Sequence, residues 1–426
     1  MPAPEELDRQ FPRYRRYDPD VPVWCVTPDD TGFIHRFFNS SPISPSGRYL
    51  AVTKFPFEDR VPDPGDEAEV VVVDLATGER ETVARTAGWD TQMGAHVQWG
   101  GDDTELFFND VDTADWSPYG VRLDPHSGAR TELEGTVYHV SPDGERVASP
   151  GLLGTTSTQD GYGVVAPDEV IPEHRGAPDD DGLWVTDATT GEAELLASLD
   201  ELVDVLDVDR RDESGGYDGD DPGGYYGFHA EWAPDGERLF FVVRYKARDA
   251  DYWDWIPHLV TMRADGSNPQ LAVPGEDWYR GGHHVHWTPD GERITMNLAL
   301  EEGGPLRFVS VEPDGSDLGP ISDLEGSGHP SLHPDGRTLI TDAYLHEEPA
   351  FEDGSVPIRA VDLETDTETA PVRIPSEPAF SGPYNRLRVD PHPAWGPSDR
   401  YVVFNGCHEG RRRVYLADFG PLLDSR

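Results

Sequence analysis

A polar turn that recurs seven times along the chain limits its fold more than any other feature. In its clearest form, Pro-Asp-Gly, proline presets φ at the first corner and Asp-Gly supplies a polar corner that tolerates positive φ. A run of β-forming residues follows each copy, as at residues 238–244. The copies lie at residues 44–47, 100–103, 141–144, 233–236, 288–291, 333–336 and 396–399.

A second signal, a strand that ends in Asp or a polar turn, alternates strictly with the first. Most of its copies are followed by a turn and one more strand, as at residues 77–83. The copies lie at residues 71–74, 121–124, 183–187, 259–262, 308–311, 358–362 and 414–418. Seven such alternations make seven four-stranded units, so the sequence predicts an all-β fold, a seven-bladed β-propeller.

The two ends of the chain favour a closed ring. The last unit stops near Asp418 without an outermost strand, whereas the strand at residues 21–27 precedes the first unit and has no partner. We expect this N-terminal strand to complete the last blade, which removes a sheet edge. Residues 1–426 are then one propeller domain. An open solenoid of sheets is the structural alternative.

The stretch at about 148–228 does not fit the repeat and is predicted to be an insertion. It contains one blade's outer strands, a short predicted helix at residues 199–206 and an acidic, glycine-rich loop. Long insertions lie on the surface and often cover a site. A solvated acidic loop with no role is the alternative.

The charge balance excludes some partners. The chain has 82 acidic and 34 basic residues, a formal net charge of -48, which argues against binding to nucleic acid or an anionic membrane. Lys54 and Lys246 are its only lysines, a pattern typical of haloarchaeal-type proteins from a high-salt cytoplasm. An acidic but otherwise ordinary protein is the alternative. Cys25 and Cys407 form no disulfide framework. No signal peptide and no apolar run of about 18 residues is found, so a soluble, cytoplasmic protein is expected.

Histidines recur at one position of the repeat. Five of the seven units carry histidine five residues before the proline or its equivalent, far more than 15 histidines in 426 residues would place there by chance. The five are His96, His229, His284, His329 and His392, with Ser40 and Val137 in the other units. This position begins the innermost strand and faces the channel. Converging imidazoles indicate metal binding or acid–base chemistry. A polar channel lining is the alternative.

Other polar residues extend this set. Asp390 lies two residues before His392, and alternate residues of an extended strand face the same way, so both could reach one ion. Mixed imidazole and carboxylate ligands suit Mn²⁺, Zn²⁺ or Fe²⁺ better than Ca²⁺. Arg280 precedes the pair His283–His284 and is a candidate contact for an acidic substrate.

The order and spacing of these motifs resemble the oligogalacturonate lyases (polysaccharide lyase family 22), TolB/WD40-like propellers that use Mn²⁺ to cleave short pectin fragments. The resemblance runs from Ile34 to Ala417. It implies that His284 is the catalytic base, and that His329 and His392 bind the metal. Asp390 takes the place of a further family ligand, the first histidine of a His-Pro-His-Pro segment.

Two departures accompany the resemblance. The family's glutamine ligand falls on Leu387, and the arginine that assists its base falls near His258. We expect Arg280 to take over the arginine's role, and His96 and His229 to contact a small acidic oligosaccharide. The predicted activity is β-elimination. A non-catalytic TolB-like propeller that binds a protein partner, and a propeller enzyme acting on another sugar, are the alternatives.

Overall fold

The computed structural model describes residues 1–28, 31–205, 223–247, 250, 254–380 and 386–424. Its strands form seven four-stranded sheets, and every neighbouring pair within a sheet is antiparallel. Each sheet is one blade, and in six of the seven the first strand contains the channel-facing position or begins two residues after it. The predicted seven-bladed β-propeller is confirmed.

The chain begins with helix α1 (Pro4–Gln10) and strand β1 (Val23–Cys25), and the blades follow in order. Blade 1 consists of β2 (Phe33–Ile34), β3 (Tyr49–Lys54), β4 (Ala68–Asp74) and β5 (Arg80–Thr86). Blade 2 consists of β6 (Gln98–Trp99), β7 (Leu106–Asp112), β8 (Ser117–Leu123) and β9 (Arg130–Leu133). Blade 3 consists of β10 (His139–Val140), β11 (Arg146–Ser149), β12 (Gly182–Asp187) and β13 (Ala193–Ser198).

The remaining blades contain the strands at which most of the predicted site residues lie. Blade 4 consists of β14 (Gly224–Trp232), β15 (Arg238–Lys246), β16 (Ile256–Arg263) and β17 (Gln270–Val273). Blade 5 consists of β18 (Gly282–Trp287), β19 (Ile294–Ala299), β20 (Leu306–Val311) and β21 (Gly319–Glu325). Blade 6 consists of β22 (Ser331–Leu332), β23 (Thr338–Thr341), β24 (Ser355–Asp362) and β25 (Thr367–Pro375). Blade 7 consists of β26 (Ala394–Trp395), β27 (Tyr401–His408), β28 (Arg411–Asp418) and β1.

Strand β1 closes the ring, as predicted from the ends of the chain. It pairs antiparallel with β28, with Val23 opposite Ala417 and Cys25 opposite Tyr415. The side chain of Trp24 is fully buried, and its indole N–H donates to the Asp8 carboxylate at 3.0 Å. The edge that blade 7 would otherwise expose is therefore paired with the other end of the chain.

The aspartate and the glycine of the recurring turn stabilise it in the way that the sequence predicts. In the copy at residues 288–291, the amide of Gly291 donates to the carbonyl of Thr288 at 2.8 Å. The Asp290 carboxylate accepts from the amide of Glu292 at 3.0 Å. Gly291 has φ +72°, a left-handed conformation that glycine adopts without a Cβ clash. Each blade thus reverses direction at the same point, which keeps the inner strands in register around the ring.

The core lies between blades, because the sheets bury both faces against their neighbours. Between blades 4 and 5, Phe240 and Val242 pack with Trp287, Ile294 and Met296. The rings of Phe240 and Trp287 stack at 6.0 Å between centroids. The apolar runs that signalled strands therefore also hold adjacent blades together.

Blade 1 places aromatic rings at the channel axis instead of histidine. Phe37 is buried, and its ring centroid lies 5.3 Å from that of His229 and 4.7 Å from that of His392. Phe38 lies 5.4 Å from His329. Phe37 lines one cavity and Phe38 lines a second cavity. The two ring centroids are 4.7 Å apart, so the two cavities adjoin at these rings.

Helical segments lie outside the blade repeat. Helix α2 (Leu152–Thr158) and a 3₁₀ helix (Asp168–Val170) lie between β11 and β12, and α3 (Leu199–Val205) follows β13. The helix predicted at residues 199–206 is thus found, except for Leu206, which lies outside the described residues. Helices α4 (Gly275–Trp278) and α5 (Gly420–Leu423) are single turns. In the part of the chain that is described, no helix is long and apolar enough to cross a membrane.

Candidate active site

The backbone departs from regular strand geometry where the histidines turn toward the axis. His96, His284 and His392 have φ of +57°, +61° and +50°. A left-handed conformation costs a non-glycine residue roughly 1–2 kcal/mol. The pairing register also shifts within β18 between His283 and His286, as in a β-bulge. Bulges and positive φ re-aim side chains, and such strain is concentrated at functional sites.

His329, Asp390 and His392 form a buried cluster. Nitrogen and carboxylate oxygen atoms of the three residues lie within 4.8 Å of one another, and each residue is at most 6 % exposed. Nε2 of His329 and both ring nitrogens of His392 have no hydrogen-bond partner among the described residues. A buried unpaired polar atom costs about 1–3 kcal/mol. The cluster therefore fits a first-row divalent ion, which would take up these donors.

Asp390 also makes an ion pair. One of its oxygens accepts from Nε of Arg388 at 2.8 Å, and both side chains are buried. A carboxylate has about four lone-pair positions, so it can hold a cation and this guanidinium together. Leu387, where the resemblance places a glutamine ligand, has no side-chain atom that could bind a metal ion. Its backbone carbonyl accepts a hydrogen bond from Arg412 at 2.7 Å.

His284 lines the cavity beside this cluster with a defined lone pair. Its Nδ1 lies 2.6 Å from the carbonyl of Gly328, which can only accept, so Nδ1 carries the proton. Its Nε2 is the acceptor and lies 3.0 Å from the hydroxyl of Tyr344. Burial, followed by the neighbouring imidazoles of His329 and His283, lowers the pKa of His284 well below 6.5. The ring is therefore neutral at pH 7 and able to accept a proton.

A hydrogen-bonded chain leads from His284 to a carboxylate. Nδ1 of His284 lies 2.7 Å from Nδ1 of His283, which also accepts from the Asn297 amide at 3.2 Å. The proton of His283 is thus on Nε2, 3.5 Å from the Glu347 carboxylate. Such a chain, anchored at the carboxylate, fixes the tautomer and orientation of the imidazole at its other end, His284.

The cavity itself has a volume of about 400 Å³, and its largely aromatic wall carries a few polar and charged side chains. Two arginines that the sequence reasoning did not single out, Arg244 and Arg388, line it, and both are buried. Gln159 and Tyr162, which follow α2, line it too, so part of the segment between β11 and β12 borders the site. Two guanidinium groups make the cavity suitable for a small anion.

Arg280 lies elsewhere. Its guanidinium pairs with Asp277 at 2.9 Å, its side chain is 37 % exposed, and it is absent from the described residues that line the cavity. The next residue, Gly281, has φ +127° and does line the cavity. Of the two arginines, Arg244 and not Arg280 therefore lies at the cavity beside His284.

Arg244 lies close to the position where the resemblance places an arginine. On adjacent strands, Val243 is opposite His258 and Arg244 is opposite Pro257. His258 is neutral, since burial lowers its pKa to about 4, and its Nδ1 accepts from the amide of Gly275 at 3.0 Å. A guanidinium thus enters this region from β15 instead of β16.

The two histidines predicted to contact substrate differ. His229 lines the cavity, and its Nδ1 contacts the hydroxyl of Tyr138. His96 does not line it; its Nε2 is 3.1 Å from the Asp90 carboxylate, and the residue is buried. Only His229 is therefore placed for direct contact.

The sequence contains features that could have pointed to Arg244 and Arg388, the two arginines that line the cavity. Arg244 is a charged residue within the strongly apolar strand β15, a pattern that indicates a buried and specifically used cation. Arg388 and Asp390 are alternate residues, a spacing that puts two side chains on the same face of an extended segment. Tyr344 and Glu347 follow β23 in a loop without repeat character, and no signal pointed to them.

No protein-family model matches the chain, and no curated protein matches its sequence. Solved structures do. An oligogalacturonate lyase in complex with manganese has a TM-score of 0.64 at 15% identity, over 96% of this chain and 96% of that chain. The oligogalacturonate lyase of Vibrio parahaemolyticus has a TM-score of 0.63, with the same identity and coverage.

A prolyl endopeptidase structure has a TM-score of 0.52 at 13% identity, over 99% of this chain but 51% of that chain. The propeller fold is thus shared with proteins of different chemistry. At such identities, the likeness shows that this chain has the seven-bladed β-propeller fold of the oligogalacturonate lyase structures.

Proposed function

We propose that this protein is a metal-dependent lyase that cleaves short oligogalacturonides, fragments of pectin, by β-elimination, with Mn²⁺ or another first-row divalent ion. The observation that carries the proposal is the place of His284. Its ring centroid lies 3.7 Å from that of His329, a member of the metal-binding cluster, and its own ring lines the cavity. A proton acceptor thus adjoins a cation site where a small acidic substrate would bind.

β-Elimination on a uronate requires a base near the carboxylate. The base removes the proton at C5, the C4–O bond breaks, and the electron pair of the C5–H bond becomes the C4–C5 double bond. Nε2 of His284 is the acceptor, since Nδ1–H is held by the Gly328 carbonyl. This nitrogen contacts the hydroxyl of Tyr344, and both residues line the cavity. A neutral imidazole is well suited to this transfer near pH 7.

His329, Asp390 and His392 would hold the metal ion. When bound, such an ion withdraws charge from the substrate carboxylate and so stabilises the negative charge that develops at C5. The departing oxygen at C4 takes up a proton, and the hydroxyl of Tyr344 is the neutral donor next to the base. Burial raises the pKa of Tyr344 well above 10, so this hydroxyl stays protonated.

Arg244 supplies the positive charge that Arg388 cannot supply in full. Arg388 is paired with Asp390. Arg244 instead donates to the neutral side chain of Gln159 at 2.9 Å and lies over the rings of Phe228 and Trp255. Among the described residues no carboxylate pairs with it, and its full charge can act on a substrate carboxylate in a dry site.

The test is the substitution His284→Ala. We expect turnover of digalacturonate, followed by the ultraviolet absorbance of the new conjugated double bond, to fall at least about 10³-fold, while metal content stays at the wild-type value. His333→Ala is the matched control. His333 begins the recurring turn of blade 6 at residues 333–336, where its Nε2 contacts the Asp399 carbonyl, and it does not line the cavity. Persisting turnover in His284→Ala would show that His284 is not the base.

A further inference from the structure

Asp342 is a fully buried carboxylate that contacts both blades from which the cluster of His329, Asp390 and His392 is built. It directly follows β23 of blade 6 and is 0 % exposed. The proposed reaction assigns it no role. It contacts His329, which precedes β22 of the same blade, and His392, which precedes β26 of blade 7. A buried carboxylate without a cationic partner is costly, so its contacts must explain it.

Every described contact of the Asp342 side chain is with a nitrogen that donates. Oδ1 lies 2.7 Å from the amide of His329 and 2.8 Å from its Nδ1. Oδ2 lies 3.0 Å from the same Nδ1 and 3.1 Å from the amide of His392. Backbone amides can only donate, and an ionised carboxylate can only accept. The ring nitrogen that faces both oxygens must therefore carry the proton.

This arrangement selects one tautomer of His329. With the proton on Nδ1, the lone pair of the neutral ring is on Nε2, the atom that has no hydrogen-bond partner among the described residues. Metal ions bind that lone pair, and a carboxylate on the opposite nitrogen orients the ring and raises its basicity.

Gly328 makes the close approach of Asp342 feasible. A Cβ at this position would lie 2.1 Å from Oδ1 of Asp342, and the residue has φ +51°, which glycine adopts most easily. The peptide next to His329 is thus shaped around the carboxylate. This observation is independent of the hydrogen bonds.

We propose that Asp342 is the positioning residue of the metal site: its carboxylate holds His329 in the metal-binding tautomer and fixes the backbone of His392 relative to it. Two ligands from adjacent blades are then set by one side chain. The inference rests on the proposed function only in that the cluster binds a divalent ion. It does not depend on which sugar is cleaved.

Calorimetric titration of chelator-treated protein with Mn²⁺ tests this role. In Asp342→Asn, the amide nitrogen faces a backbone donor whichever way the side chain is turned, so either the His392 amide or the His329 amide loses its acceptor. Nδ1–H of His329 is then left with one acceptor oxygen instead of two. We expect Mn²⁺ to bind about 10- to 100-fold more weakly than to the wild type. The circular dichroism spectrum reports whether the variant keeps its fold.

Asp90→Asn is the matched control. Asp90 is also buried, and it pairs with a ring histidine, His96, at 3.1 Å, but outside the cluster. We expect this variant to bind Mn²⁺ as the wild type does. Equal affinities for the wild type and Asp342→Asn would overturn the inference and leave the proposed metal site standing. A wild type that binds no Mn²⁺ would overturn both.

A measurement on the wild type keeps the inference testable if Asp342→Asn does not fold. Long-range ¹H–¹⁵N NMR of metal-free protein with labelled histidine distinguishes the two tautomers. We expect His329, assigned by comparison with His329→Gln, to carry its proton on Nδ1 without metal. A ring protonated on Nε2 would contradict the role of Asp342, and it would do so whether or not the protein proves to be a lyase.

Discussion

At the scale of single residues, the site combines neutral imidazoles with two arginines, of which one is paired with a carboxylate and the other contacts neutral groups. Burial lowers the pKa of His229, His284 and His392 well below 6.5, so these rings are neutral near pH 7. The guanidinium of Arg388 is balanced by Asp390, whereas that of Arg244 faces neutral groups. The net positive charge of the cavity therefore depends mainly on Arg244.

This difference predicts the outcome of two arginine substitutions. Arg244→Ala removes a buried cation from the cavity wall, and we expect kcat/KM for digalacturonate to fall about 10²- to 10³-fold. Arg280→Ala removes an exposed group that pairs with Asp277, and we expect a much smaller loss. Steady-state kinetics at saturating Mn²⁺ measure both. A larger loss for Arg280→Ala would contradict the placement of the assisting cation.

At the scale of elements, the outcome shows which parts of the site a repeat can reveal. The recurring turn aligns the inner strands, so one position in each unit can be compared. This comparison predicts His284, His329 and His392, whose rings lie close together in the structure. Asp390 followed from its spacing to His392.

Arg244 and Asp342 could not be found by that comparison. Arg244 lies on the second strand of its blade and Asp342 directly after the second strand of another, and neither stands at a position that recurs with the same residue type. Their roles arise from contacts between elements, which require the twist and spacing of the blades. Phe37 and Phe38 likewise reach the axis because blade 1 differs from the repeat.

Strand β1 provides a test at this scale. The side chain of Trp24 is fully buried against Leu416 and other apolar residues of the closing blade. Replacing it by Ala leaves a cavity and removes the Asp8 contact, and we expect the free energy of unfolding to fall by about 3–5 kcal/mol. Denaturant titration in high salt measures this loss.

Val205→Ala is the control for Trp24→Ala, since Val205 is 63% exposed and surface substitutions usually change stability by less than about 0.5 kcal/mol. If Trp24→Ala were no more destabilising than this control, closure by β1 would not contribute to the stability of the ring.

At the scale of the whole molecule, the formal net charge of -48 sets the conditions in which the fold is stable. Carboxylates repel one another across the surface, and this repulsion opposes the compact state. Salt screens it, because the Debye length falls from about 10 Å at 0.1 M to about 3 Å at 1 M.

We therefore expect the midpoint of thermal unfolding to rise steadily as KCl is increased from 0.1 M to several molar. An uncharged osmolyte at equal osmolality is the control, because it is excluded from the surface but does not screen charge. Differential scanning calorimetry gives both curves. A midpoint that is unchanged or lowered by KCl would contradict an acidic surface adapted to high salt.

The central claim is that the metal-binding cluster and His284 act together on a uronate. The most direct measurement follows ultraviolet absorbance on digalacturonate in high salt, first with chelator-treated protein and then after addition of Mn²⁺. The account predicts no increase without metal and a steady increase once one equivalent of Mn²⁺ is bound, lost again in His284→Ala. Mn²⁺ binding at the cluster without any unsaturated product would contradict the assignment of this site to β-elimination.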